Sequence, residues 1–109
     1  MDARSDAELL RDYATTASPA AMAELVRRHA GLVHATARRQ VRNDVHLADD
    51  VAQATFLVLA RRANSIRLPP TGSLAGWLYT TAQYAARNAM RAHRRRTIHE
   101  SRAAALPWR

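Results

Sequence analysis

The chain predicts an all-α fold, a compact domain of about four helices, and three observations carry that expectation. Hydrophobic residues make up 48% of the 109 residues, yet only 6% are aromatic and three are glycine. Such an alanine- and leucine-rich composition favours helix over sheet. Apolar residues also return at three- and four-residue intervals through four stretches, each opened by a helix-start signal. The length suits one small domain with a single core.

The first helix is expected over 5–16. Ser5-Asp6-Ala7-Glu8 reads as a capping box, with Ser5 as N-cap and Glu8 three positions on. Leu9, Leu10 and Tyr13 form its inner side. Ser18-Pro19 opens the second helix, serine capping and proline in the first turn. It runs over 19–42 with Met22, Leu25, Val26, Leu32, Val33, Ala37 and Val41 as a broad apolar face, and Gly31 as a candidate kink.

Asn43-Asp44 breaks that helix and opens the third, over 46–63. Ala48, Val51, Ala52, Thr55, Phe56, Leu59 and Ala63 share its core side. Asp50, Gln53, Ala54, Leu57 and Arg61 share the outer side, with Asp49 at its edge. A leucine set between an acid, an amide and an arginine suits a strip that binds a partner. A single exposed leucine on an ordinary surface meets the same pattern. Asp49 and Asp50 point about 100° apart on a helix, so capping or partner contact suits them better than paired acid–base chemistry.

Asn64 to Gly72 reads as a loop, because Pro69-Pro70 cannot continue a helix and Thr71-Gly72 turns the chain. Ser73 caps the fourth helix, expected over 74–96. Leu74, Leu78, Ala82, Ala85, Ala89 and Ala92 project to one side of it. Thr80, Tyr84, Arg87, Arg91 and Arg94 project to the other, flanked by Trp77, Asn88 and Arg95. Guanidinium groups for phosphates and base edges, flat rings for stacking and an amide together suit nucleic acid. A solvated basic face with two half-buried aromatics at its edge meets the pattern equally. Beyond Arg96 the periodicity decays, so residues 97–109 read as a basic tail or the start of a linker after a domain at 1–96.

Charge is concentrated beside that helix. Residues 1–60 carry seven arginines against eight acids, whereas 61–109 carry ten against Glu100 alone. A basic half beside a near-neutral half marks a face for a polyanion. An alanine stripe opposite the arginines argues against a membrane surface. No apolar run nears the roughly 20 residues of a span, and MDARSDAELL is not a signal peptide. The absence of cysteine excludes disulfides and thiolate metal sites, and the whole points to the cytoplasm. No phosphate-binding loop, nucleophile elbow or paired histidine occurs at ligand spacing. His29, His34, His46, His93 and His99 are scattered, which suits core-edge or surface positions. No residue is a candidate for catalysis or metal ligation, no cofactor is called for, and the reading is of a protein that is not an enzyme.

Two stretches then converge. LADDVAQATFLVLARRA (Leu47 to Ala63) followed by GWLYTTAQYAARNAMRAHRRR (Gly76 to Arg96) resembles region 2 of bacterial RNA polymerase sigma factors, nearest the extracytoplasmic-function (ECF) group. AELVRRHAGLVHATARR (Ala23 to Arg39) is similar to the helix preceding them in that family. The resemblance covers about Ser5 to Arg96. It implies a transcription initiation factor domain that binds core RNA polymerase and recognises and melts the promoter minus-ten element. The implied polymerase site is Asp49, Asp50, Gln53, Leu57 and Arg61, against the clamp helices of the largest subunit. The resemblance implies contacts of Trp77, Tyr84, Arg87 and Asn88 along the single-stranded non-template strand, with the loop before them capturing a flipped base; Thr80, Arg91, Arg94 and Arg95 complete the candidate DNA site from the helix face read above. The resemblance also admits an anti-sigma factor as a further partner.

Departures from the family pattern are informative. Many relatives place a glutamate after the glutamine, where this chain has Ala54. The base-capturing loop often holds a glycine–acid–serine run, which Leu68-Pro69-Pro70-Thr71-Gly72-Ser73 does not match, so no base preference transfers. The family's second, helix-turn-helix domain has no counterpart here, so the chain reads as a fragment of a longer factor or a reduced, region-2-only protein. Two competing readings stay open: a stand-alone helical regulator that binds double-stranded DNA through its Arg-rich helix, and a helical protein-interaction domain without nucleic acid.

Overall fold

The computed structural model describes residues 2–104. Four helices follow in order: α1 (Asp6–Thr16), α2 (Pro19–Gln40), α3 (Val45–Arg62) and α4 (Ala75–Ala104). No strand occurs among the described residues. Capping sets the starts. Ser5 Oγ accepts the Glu8 N–H, while Glu8 Oε1 accepts the Ser5 N–H. Ser18 Oγ accepts the Ala21 N–H and Asp44 Oδ1 accepts the Leu47 N–H, each satisfying an amide the helix itself leaves free.

Left-handed backbone ends two of them. Ala17 caps α1 at φ 53°, its N–H donating to the Tyr13 carbonyl. Arg42 and Asn43 follow α2 at φ 56° and 64°, so that helix stops at Gln40, two residues before the predicted end. Gly31 is exposed within α2, and a Cβ there would meet nothing within 4 Å. No close approach requires that glycine.

Helices α2, α3 and α4 pack mutually, and α1 lies on α2. The core has two parts. At the α1 end, Leu9, Leu10, Leu25, Val33, Leu59, Leu74 and Leu78 are fully or almost fully buried together. Burial of one such leucine contributes about 1.5–3 kcal/mol. At the other end Ala37 and Val41 of α2 meet Leu47, Ala48 and Val51 of α3 and Ala86 of α4. Phe56, read as core, is only partly buried against the first cluster, as are Tyr13 and Met22. Ala21, His29 and Thr36 are buried residues of α2 that its apolar pattern does not mark; the Thr36 hydroxyl is satisfied by donating to the Leu32 carbonyl.

The fourth helix differs most from its expected bounds, continuing through Ala104 rather than ending at Arg96. Its apolar periodicity stops where packing stops. The backbone ladder needs no packing partner, and residues 97–104 contain neither Gly nor Pro. Residues 105–109 of the predicted tail lie outside the described residues. The overhang contributes to a long axis of 61 Å against 25 and 22 Å.

Candidate nucleic-acid interface

Trp77 is half-buried, one side packed against the α1-end core. One turn on, Thr80 is exposed, and Tyr84 is 61% exposed, an unusual position for a large aromatic. Neighbours three residues apart share a helix face, and here they form two pairs. The Arg87 guanidinium lies over the Tyr84 ring, 4.8 Å from its centroid. Arg91 Nη2 donates to Asn88 Oδ1 at 2.6 Å. Both pairs hold a cation beside a flat or polar group along the helix flank.

This flank borders a groove of about 840 Å³ between α3 and α4. Trp77, Thr80, Tyr84 and Asn88 line it from α4, above Ala85, Ala89 and Ala92. Asp50, Ala54, Val58 and Arg62 line it from α3. The alanine stripe expected to meet a neighbouring helix is therefore turned partly into the groove. Ala86, absent from the predicted stripe, is the residue buried between α2 and α3. Four of the predicted DNA-site residues come together here. Arg87, Arg91, Arg94 and Arg95 stand outside the groove lining, exposed along α4.

Asp50 joins the groove rather than a separate face. The remaining members of the α3 strip, Asp49, Gln53, Leu57 and Arg61, are exposed, with Leu57 at 53%. The helix phase predicted for α3 thus matches the structure at each of these positions. The connection between α3 and α4 is anchored by Ile66 and Leu68, which pack on the α1-end core. It closes with a turn in which the Gly72 N–H donates to the Pro69 carbonyl at 2.8 Å. A Cβ at Gly72 would lie 2.7 Å from the Pro69 ring, so only glycine fits there without rearrangement.

The ion pairs among the described residues all lie within the first 29 positions. Arg4 bridges Asp2 and Asp12, and Glu24 is shared by Arg27 and Arg28. Arg4 holds the Asp2 carboxyl down to about 2. Arg27 and Arg28 hold that of Glu24 down to about 2. None of these pairs engages an α4 arginine. Charge compensation is spent at the α1 end, which leaves the α4 cations available to an external anion.

Sequence reasoning missed one cluster. Asp6, 7% exposed, places Oδ2 2.8 Å from His29 Nε2 and accepts the Leu74 N–H at 2.8 Å. Its Oδ1 accepts from Arg28 Nη1 at 3.2 Å. Burial pushes this carboxyl up, but the Leu74 N–H, His29 and Arg28 outweigh it and hold the group below the usual carboxylate range. No local pattern links positions 6, 29 and 74. The one sequence signal was an acid inside the Ser5–Glu8 capping box, where a first-turn acid is ordinary.

Among the described residues no group of three or more His, Asp or Glu is placed to hold a metal ion, and no helix is long and apolar enough to cross a membrane. The family model for sigma-70 region 2 matches residues 25–96. The chain belongs to the sigma-70 region 2 family. The match runs from the second turn of α2 through the groove and the α4 flank, and leaves α1 and the α4 overhang outside. This sigma-70 region 2 domain is 40% identical, over 82 residues, to the RNA polymerase sigma factor CarQ of Myxococcus xanthus. The alignment takes in 75% of the chain but 45% of that relative, so the chain spans under half its length. No solved structure matches the chain. Sigma factors are not enzymes, and the domain is a sigma factor region rather than a catalyst.

Proposed function

We propose that this domain serves an ECF-type sigma factor by docking on core RNA polymerase and capturing single-stranded non-template bases of the promoter minus-ten element. The observation that carries the reading is the α4 flank. Tyr84 and Arg87, then Asn88 and Arg91, alternate stacking or hydrogen-bonding groups with unneutralised cations beside a groove. Flipping a base costs a few kcal/mol. Stacking returns about 1–3 kcal/mol per base, and phosphate contacts add a salt-dependent share. These terms nearly balance, so a second attachment must hold the domain on its site. The exposed Asp49, Gln53, Leu57 and Arg61, with Asp50 beside them at the groove, support that attachment, to the clamp helices of the largest polymerase subunit. The anchored connection ahead of α4 is the proposed capture loop. An anti-sigma factor would compete for either surface.

The test is a fluorescence titration of minus-ten oligonucleotides, single-stranded and duplex, with and without core polymerase, across salt concentrations. The expected result is preference for the single strand, strengthened by polymerase. Arg87→Ala with Arg91→Ala should flatten the salt slope by about one unit for each phosphate that is no longer neutralised. Equal affinity for duplex and single strand at every salt concentration would favour a duplex-binding regulator instead.

A further inference from the structure

Leu74 stands at the start of α4, where the Leu78 N–H bonds its carbonyl at 2.9 Å. A leucine has no side-chain oxygen for the free amides of a first turn. Ser73 Oγ takes the Ala75 N–H, and the Leu74 N–H is taken from a distance by Asp6. The same carboxylate opens α1 as its first residue, so two helix N-termini share one negative charge, each favourably oriented towards it.

The carboxylate is itself fixed. His29 and Arg28 grip it from α2, and Arg28 is steadied by Glu24 and by the Asp2 carbonyl at 2.7 Å. Asp6 therefore joins α1, α2 and the junction of the 63–73 connection with α4. Trp77, at the groove, lies one turn beyond that junction. Asp6 also lies outside the residues that the family model matches.

We propose that Asp6 is a positioning residue for the DNA face: by holding the Leu74 N–H it sets the path of the connection into α4 and the aim of Trp77 at the bound strand. The inference rests on the single-strand reading above, and its test separates the two. With Trp108 replaced by Phe, Trp77 is the sole tryptophan, and its acrylamide quenching reports its setting without DNA. Quenching is measured at a temperature where each variant keeps its full helical signal, alongside titration of single-stranded minus-ten oligonucleotide with core polymerase.

Asp6→Ala should raise the quenching constant about twofold and weaken DNA binding about tenfold. Asp6→Asn, whose amide oxygen can still accept the Leu74 N–H, should restore most of both. Should Asp6→Ala fail to fold, Asp6→Ser takes its place, a short side chain that does not span to Leu74. Unchanged quenching in a folded Ala or Ser variant overturns the proposal. Equal losses in the Asn and Ala variants also overturn it, assigning the effect to charge alone. If the unsubstituted chain binds no single strand, the function reading fails, while quenching still decides whether Asp6 sets Trp77.

Discussion

The guanidinium of Arg87 lies over the ring of Tyr84, 4.8 Å from its centroid, on an exposed face of α4. At an exposed site such a pair is worth about 0.5–1 kcal/mol, too little to hold the fold but enough to pre-set a side chain. Tyr84→Ala is therefore expected to leave the melting temperature nearly unchanged. It should weaken single-stranded minus-ten binding by about 1–3 kcal/mol, the value of one stacked base. Tyr84→Phe keeps the ring and should bind nearly as the parent. Anisotropy titrations beside thermal melts check both.

The exposed α3 strip separates partner binding from stability. Gln53→Ala and Leu57→Asp should fold normally, since both side chains are exposed. If they are central contacts, core polymerase binding falls by about 1–3 kcal/mol, roughly ten- to a hundredfold. Leu59, fully buried, is the control: Leu59→Ala should cost about 2–5 kcal/mol of stability. Phe56, only partly buried, is a poorer control than its apolar character suggests. A Leu57→Asp variant that folds and binds polymerase normally makes the strip an ordinary surface.

Acid stability should depend on Asp6. Its carboxyl is held below the ordinary range in the folded state despite burial. Its stabilising contribution is thus complete above the unfolded value of about 4 and is lost as pH falls through the lowered folded value. Asp6→Asn should cost about 1–3 kcal/mol near neutrality. Below about pH 4, its melting temperature should fall less steeply than the parent's. Melts across pH 2–7 read the difference, and parallel curves would show that other carboxyls carry the acid sensitivity.

Backbone strain offers a stabilising change. Ala17 holds φ 53° at the end of α1, a left-handed conformation that costs a residue with a Cβ about 1–2 kcal/mol. Ala17→Gly should recover about 1 kcal/mol, net of the unfolded-state entropy of glycine. That corresponds to roughly 4–8 °C in Tm for a domain of this size. An unchanged or lowered Tm would count against strain at this cap.

Local chemistry was the legible part of the chain. Ser5, Ser18 and Asp44 announce helix starts because capping acts within three residues, and each caps as its position implies. The phase of α3 was legible because Val51 and Leu59, both fully buried, stand opposite Asp49, Gln53 and Arg61 on the helix. That of α4 was less so, since an apolar stripe that is alanine from Ala82 on gives hydrophobicity little with which to choose between Ala85 and Ala86. The helix beyond Arg96 was hidden for another reason: periodicity reports packing, and an unpacked helix has none. Asp50 was expected beside Gln53 and Leu57, yet lining one groove with Trp77 and Tyr84 depends on how two helices cross. The Asp6–His29–Leu74 cluster was invisible because it spans 68 positions and exists only after three helices have docked.

Ala86 has a mechanical consequence. It is buried among Ala37 and Val41 of α2 and Ala48 and Val51 of α3, so a single methyl acts as the shim that spaces α4 from its neighbours. Helices separated by alanines sit near the lower end of the 8–10 Å range of axis distances. The width of the groove is thereby gauged from its hidden side, through Ala86 and Val51, which do not line it. Thickening the shim by two carbons, as in Ala86→Val, would crowd Ala37, Val41, Ala48 and Val51 and oblige α4 to shift against its neighbours. Specificity on the outer face is in this sense a tolerance machined into the inner one.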